Sequence, residues 1–172
     1  MKRNVYKNVF IIMICFMLIM GQSVTVFAEK YGVYNKIVSD AKSQYGSSLR
    51  IRYIDLNSDD IKELILIDQG NRANIVIYTQ RNDKPKKLKS IRGVTALRYS
   101  KKKNCFCIQT SAGFAESCDY VYRIRNGKLV RVATYRYISG YSGTIILRNS
   151  KNISIEEYQN WWRDMSKWKL IC

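Results

Sequence analysis

Residues 55 to 63 read Asp-Leu-Asn-Ser-Asp-Asp-Ile-Lys-Glu, so four of the chain's 13 acidic residues fall within nine positions. The chain as a whole carries 30 Lys plus Arg, which makes this crowding of repelling carboxylates conspicuous. A divalent cation can hold such groups together, and hard oxygen ligands at positions 1, 3 and 5 are how a short loop wraps calcium. Asp55, Asn57 and Asp59 have that spacing, the carbonyl of Ile61 falls at position 7 and the Glu63 carboxylate at position 9. Position 6, where the backbone turns left-handed and Gly is usual, is Asp60. Position 12 is Leu66 in place of a bidentate Glu, which excludes an EF-hand proper. The competing reading is an acidic turn whose side chains cap backbone amides or pair with nearby Lys and Arg.

Other chemistry is narrowed by what the 172 residues lack. There is no His, which removes Ser/His/Asp and Cys/His nucleophile pairs, His-ligated zinc and a proton shuttle titrating near neutrality. Glycan hydrolysis by two carboxylates needs no His, and Asp55, Asp59, Asp60, Glu63, Glu116 and Asp119 are the acids to inspect for it. Acids one to eight residues apart on a calcium-like loop are better explained as ligands than as a pair placed across a sugar. The leading expectation is therefore a protein that is not an enzyme.

The elements that must hold the loop are mostly strands. Tyr34, Ile37, Val38 and Ala41 recur at helical spacing and predict a helix from about Lys30 to Gln44, stopped by Gly46. Strand-like runs follow at 50–55, 63–68, 74–80, 86–92, 95–100, 104–110, 118–125, 128–137 and 144–148. Asn126-Gly127 predicts a tight hairpin, whereas 81–85 reads as a looser turn with Pro85 where no ladder bond is needed. Ser154 followed by Glu157 has the form of a capping box, in which both side chains satisfy amide donors at a helix start. That helix is predicted to run to about Lys169. Its Tyr158, Trp161, Trp162, Met165 and Trp168 give one aromatic face, to be packed on the sheet or presented as a carbohydrate or peptide platform. The fold class is thus α+β: an antiparallel β meander or sandwich, or propeller-like hairpins, with an N-terminal and a C-terminal helix.

Residues 1–28 read as a signal peptide. Lys2, Arg3 and Lys7 precede an apolar run from Val9 to Met20, and Ala28 supplies the small residue before a cleavage point. Such a run spans about 18 Å at about 1.5 Å per residue, short of the bilayer core of about 30 Å, so a retained anchor is the weaker reading. The expected product is a single secreted or cell-surface domain, 29–172, with no membrane span after cleavage. It keeps 27 Lys plus Arg against 13 Asp plus Glu.

Four Cys remain in it: Cys105, Cys107, Cys118 and Cys172. An even number in an exported chain allows disulfides, for instance one bridge from Cys105 or Cys107 across to Cys118; buried free thiols are the alternative. They lack the paired knuckle spacing of a zinc site. Lys84, Lys86, Lys87 and Lys89 lie around one turn and Lys101, Lys102 and Lys103 around the next. If the intervening strands pair, both turns lie along one edge and suit an anionic wall or surface polymer. Solvated lysines that protect a strand edge are the plainer account. Nucleic acid is disfavoured by export and by the lack of a recognised binding motif.

The stretch Tyr53 to Leu64 resembles the D-x-D/N-x-D-G-x-x-E/D-L loop of FG-GAP and VCBS-like calcium-binding modules. It is also similar to a loop in small secreted proteins of Gram-positive bacteria, which place a helix before it and β-hairpins after it. The resemblance is close over about a dozen residues. It implies calcium as cofactor, ligands at Asp55, Asn57, Asp59 and Glu63, and Ile61 tucked beneath the loop. The expected function is a non-enzymatic surface module that binds an unknown protein or anionic polymer. The alternatives are the glycan hydrolase above and a structural or inhibitory partner of another exported protein.

Overall fold

The computed structural model describes residues 32–70, 73–111, 115–141 and 143–172. The predicted signal peptide lies outside them. The chain divides into two compact units, Met1–Ile37 and Val38–Cys172. A 3-10 turn at Gly32–Tyr34 leads into helix α1 (Asn35–Tyr45), which a second 3-10 turn, Gly46–Ser48, closes with Gly46 at φ +55°.

Two open antiparallel sheets make up most of the larger unit. The first is a four-stranded meander of β1 (Leu49–Ile54), β2 (Glu63–Asp68), β3 (Asn74–Arg81) and β4 (Lys84–Ile91), adjacent in sequence order. The second contains β5 (Val94–Ser100), β6 (Cys105–Ser111), β7 (Glu116–Arg125), β8 (Lys128–Gly140), β9 (Gly143–Arg148) and β10 (Lys151–Asn152), again neighbours in chain order. A last short strand, β11 (Lys169–Leu170), returns antiparallel to β5 at the opposite edge. The propeller-like arrangement is not formed: each sheet stays open, because its successive hairpins add strands side by side.

The turns follow from residues that tolerate positive φ. Asn126 and Gly127 have φ of 51° and 61°, and Arg125 pairs with Lys128 as the sequence predicts. Asn82-Asp83 forms the same kind of two-residue turn, with φ of 51° and 55°, tighter than the loose connection expected there. Pro85 sits opposite Gln80 on β4, an edge strand, where a missing amide proton is tolerated.

Alternation along the strands sorts the core. From β2 and β3, Ile65, Ile67, Ile75 and Ile77 meet Leu97, Phe106, Ile108 and Tyr122 of the second sheet. The opposite face of that sheet buries Cys105, Cys107, Val121 and Tyr135 against Met165 and Trp168. Helix α2 (Ile155–Met165) supplies Met165, together with Tyr158 and Trp161. It stops at Met165, earlier than predicted, because the following residues turn so that Lys169 and Leu170 can pair with Tyr99 and Arg98. Since β10 and β11 lie at opposite edges, α2 has to cross the sheet's face. Its N-cap is made by Ser154, whose Oγ accepts the Glu157 N–H at 3.1 Å. The reciprocal half of the capping box is replaced: the Glu157 carboxylate accepts from Arg148 on β9 at 3.2 Å.

Candidate functional site

The β1–β2 connection folds around Asp55. One oxygen, Oδ1, accepts the amides of Asn57 and Asp59 at 3.3 and 3.2 Å, and Oδ2 accepts that of Asp60 at 3.2 Å. Asp59 Oδ1 accepts the Ile61 amide at 3.0 Å, while its Oδ2 accepts from Asn57 Nδ2 at 2.7 Å. Asp60 has φ 64°, so the position where calcium loops favour Gly is left-handed here too. Asp55, Asn57 and Asp59 therefore share one small turn, and Asn57 and Asp59 line an open polar recess of about 490 Å³. From the second sheet, Asn104 Nδ2 donates to the Asn57 carbonyl at 2.8 Å and ties the loop down.

Glu63 does not join them. Its side chain is fully buried at the start of β2, where Oε2 accepts the Leu56 amide at 2.8 Å and Oε1 the Thr79 hydroxyl at 3.0 Å. Burial pushes its carboxyl up from 4.5 to about 7, against the two hydrogen bonds that favour the ionised form. The side chain beneath the loop is Leu56, 1% exposed, whereas Ile61 is 40% exposed. Leu56 belongs to the core between the sheets, so it anchors the loop that Ile61 was expected to anchor. Among the described residues, no three Cys, Asp or Glu side chains form a ready metal cluster. A calcium ion would have to draw on the Asn57 amide and the Ile61 carbonyl as well as on Asp55 and Asp59.

The expected cross-strand disulfide is not made. Cys105, Cys107, Cys118 and Cys172 are free. Cys107 sits opposite Val121, and Cys118 opposite Thr110. Alternation then places Cys118 on the same face as Tyr120 and Tyr122, across the sheet from Cys105 and Cys107. Burial pushes the thiols of Cys105, Cys107 and Cys118 up.

The two basic clusters also separate. β4 pairs with β3 and β5 pairs with β6, so the two turns belong to different sheets and share no edge. Lys86 Nζ donates to the Gly127 carbonyl at 2.9 Å and Lys89 lies 5.6 Å from the Tyr122 ring centre. Lys103 pairs with Asp164 at 2.6 Å. Lys84, Lys87, Lys101 and Lys102 are exposed.

A cleft that the sequence did not announce opens between the first turns of α2 and the second sheet, with a volume of about 550 Å³. Its floor holds Gln109 and Asp119, paired across β6 and β7, and its walls carry Tyr137, Tyr158 and Trp162. Asp119 is 3% exposed; Oδ1 accepts from Gln109 Nε2 at 2.8 Å and Oδ2 from Trp161 Nε1 at 3.4 Å. Burial raises its carboxyl above the ordinary range. Glu116 projects from the other face of β7 and meets Arg136 at 2.6 Å, so Asp119 is the one carboxylate among the described residues of the cleft. A polar Gln at 109, in step with Cys105 and Cys107 on a core-facing side, was the available signal.

Compared with protein-family models, with curated protein sequences and with solved structures, the chain matches none of them. Among the described residues, no helix is long and apolar enough to cross a membrane.

Proposed function

We propose that this chain is a non-enzymatic, exported surface module whose 55–61 loop is stiffened by calcium and whose excess positive charge draws it to an anionic partner. The observation that carries the loop's role is the wrap of three backbone amides on Asp55 beside a left-handed Asp60, with Asn57 and Asp59 facing an open recess. Asp55, Asn57, Asp59 and the Ile61 carbonyl would hold the ion; Glu63 stays beneath as a support. The cation would supply charge neutralisation where these acids crowd together, and extracellular calcium near millimolar suits a site with so few charged ligands.

The charge balance supports the partner class. With 27 basic and 13 acidic side chains in residues 29–172, one-to-one pairing of every acid still leaves 14 cations unmatched, a field that attracts polyanions. Two-carboxylate hydrolysis is the weaker reading, because Asp119 faces the cleft without a second acid and Glu116 lies across the sheet.

Thermal unfolding tests the loop. Millimolar calcium is expected to raise Tm over EDTA by several degrees, since ligand binding to the native state alone stabilises it by RT ln(1 + [L]/Kd). Asp55→Asn with Asp59→Asn removes that response. A Tm indifferent to both calcium and EDTA in the unmutated protein overturns the calcium assignment.

A further inference from the structure

We propose that the cleft between α2 and the second sheet is a binding site for a neutral saccharide. The lining residues decide the class of ligand. None of those described is Lys or Arg, although the chain has 30. A polyanion would find no cation there, and an organic cation would approach against the net charge of +14 that residues 29–172 carry. A neutral, hydroxyl-rich ligand is indifferent to that field.

The floor suits hydroxyl groups. An ionised carboxylate offers about four acceptor sites, and Gln109 and Trp161 occupy two of those on Asp119 while fixing its orientation. Ser117, on the same face of β7, adds a hydroxyl that can donate or accept near it. Tyr158 is held in turn, stacked on Tyr137 with ring centres 5.9 Å apart. At the wall, Trp162 stands on α2 with 42% of its surface exposed, while Tyr158, Trp161 and Met165 of the same helix pack on the sheet. An indole face left in water next to oriented hydrogen-bonding groups matches the two sides of a sugar ring, its C–H face and its hydroxyl rim. The volume lies within the range of clefts that enclose small ligands, and suits a di- or trisaccharide.

Titration of the purified protein with cellotriose, maltotriose and triacetylchitotriose, followed by calorimetry and tryptophan fluorescence, tests this. At least one is expected to bind saturably, with an affinity unchanged between low and high salt, which separates this site from adsorption through surface charge. Trp162→Ala should weaken binding roughly tenfold or more, with Trp162→Phe retaining most of it. Asp119→Asn should weaken it as well, and because Trp162 is exposed its variant stays folded even if Asp119→Asn does not. Absence of saturable binding by all three sugars at millimolar concentration overturns the proposal. So does undiminished binding by Trp162→Ala, or saturable binding of tetramethylammonium in place of the sugars.

Discussion

A carboxyl group taken out of water holds its proton more tightly, and among the described residues Glu63 is the fully buried example. Its folded pKa of about 7 stands above the ordinary 4.5. Between these values the unfolded chain has released the proton while the native protein still binds it. Stability contributed by Glu63 is therefore full below about pH 4.5, declines as pH rises, and is lost above about pH 7. The change amounts to about 3 kcal/mol at most. Denaturant titrations in EDTA across this window should show the decline, and Glu63→Gln should flatten it. An amide can still accept from the Leu56 N–H and donate to Thr79, so the variant tests charge without removing the hydrogen bonds.

A helix start gains from an oxygen that receives one of its unpaired amides. For α2 that oxygen is Ser154 Oγ. Ser154→Ala should cost about 1 kcal/mol, read as a fall in Tm of roughly 3 °C. Glu157→Ala should cost little, because the pair it makes with Arg148 is exposed. Had the reciprocal capping box formed, both substitutions would weaken the helix start, so the ratio of the two losses reports the arrangement. The element also shows how one aromatic stripe is divided: Tyr158, Trp161 and Met165 go to the sheet and Trp162 goes to the cleft rim.

At the scale of the molecule the balance of 27 basic to 13 acidic residues in 29–172 dominates encounters with other polymers. Retention on a polyphosphate or heparin matrix should be strong at low salt and fall steeply as the ionic strength passes the physiological value. Lys84→Glu combined with Lys87→Glu should shift elution to lower salt, since both side chains are exposed on the outer strand of the first sheet. Lys86→Glu acts differently, because that ammonium is committed to the Gly127 carbonyl and its loss disturbs the fit of the β7–β8 turn. Retention that persists in high salt would remove the electrostatic account of the partner.

Local chemistry alone determined the strands, the Asn126-Gly127 turn and the crowded loop, because alternation, positive-φ residues and repelling acids act over a few neighbouring positions. Asp55, Asn57 and Asp59 come together for the same reason: their spacing is bonded into one turn. Which face of the second sheet met the first, and which met α2, depended on packing between distant segments. That choice put Cys118 across the sheet from Cys105 and Cys107, sent Glu63 inward, divided the lysines between two sheets and assembled Gln109, Asp119 and Trp162 around one cleft. The cleft residues alone lie 10 to 53 positions apart, and no short-range pattern records where a folded sheet presses its two sides.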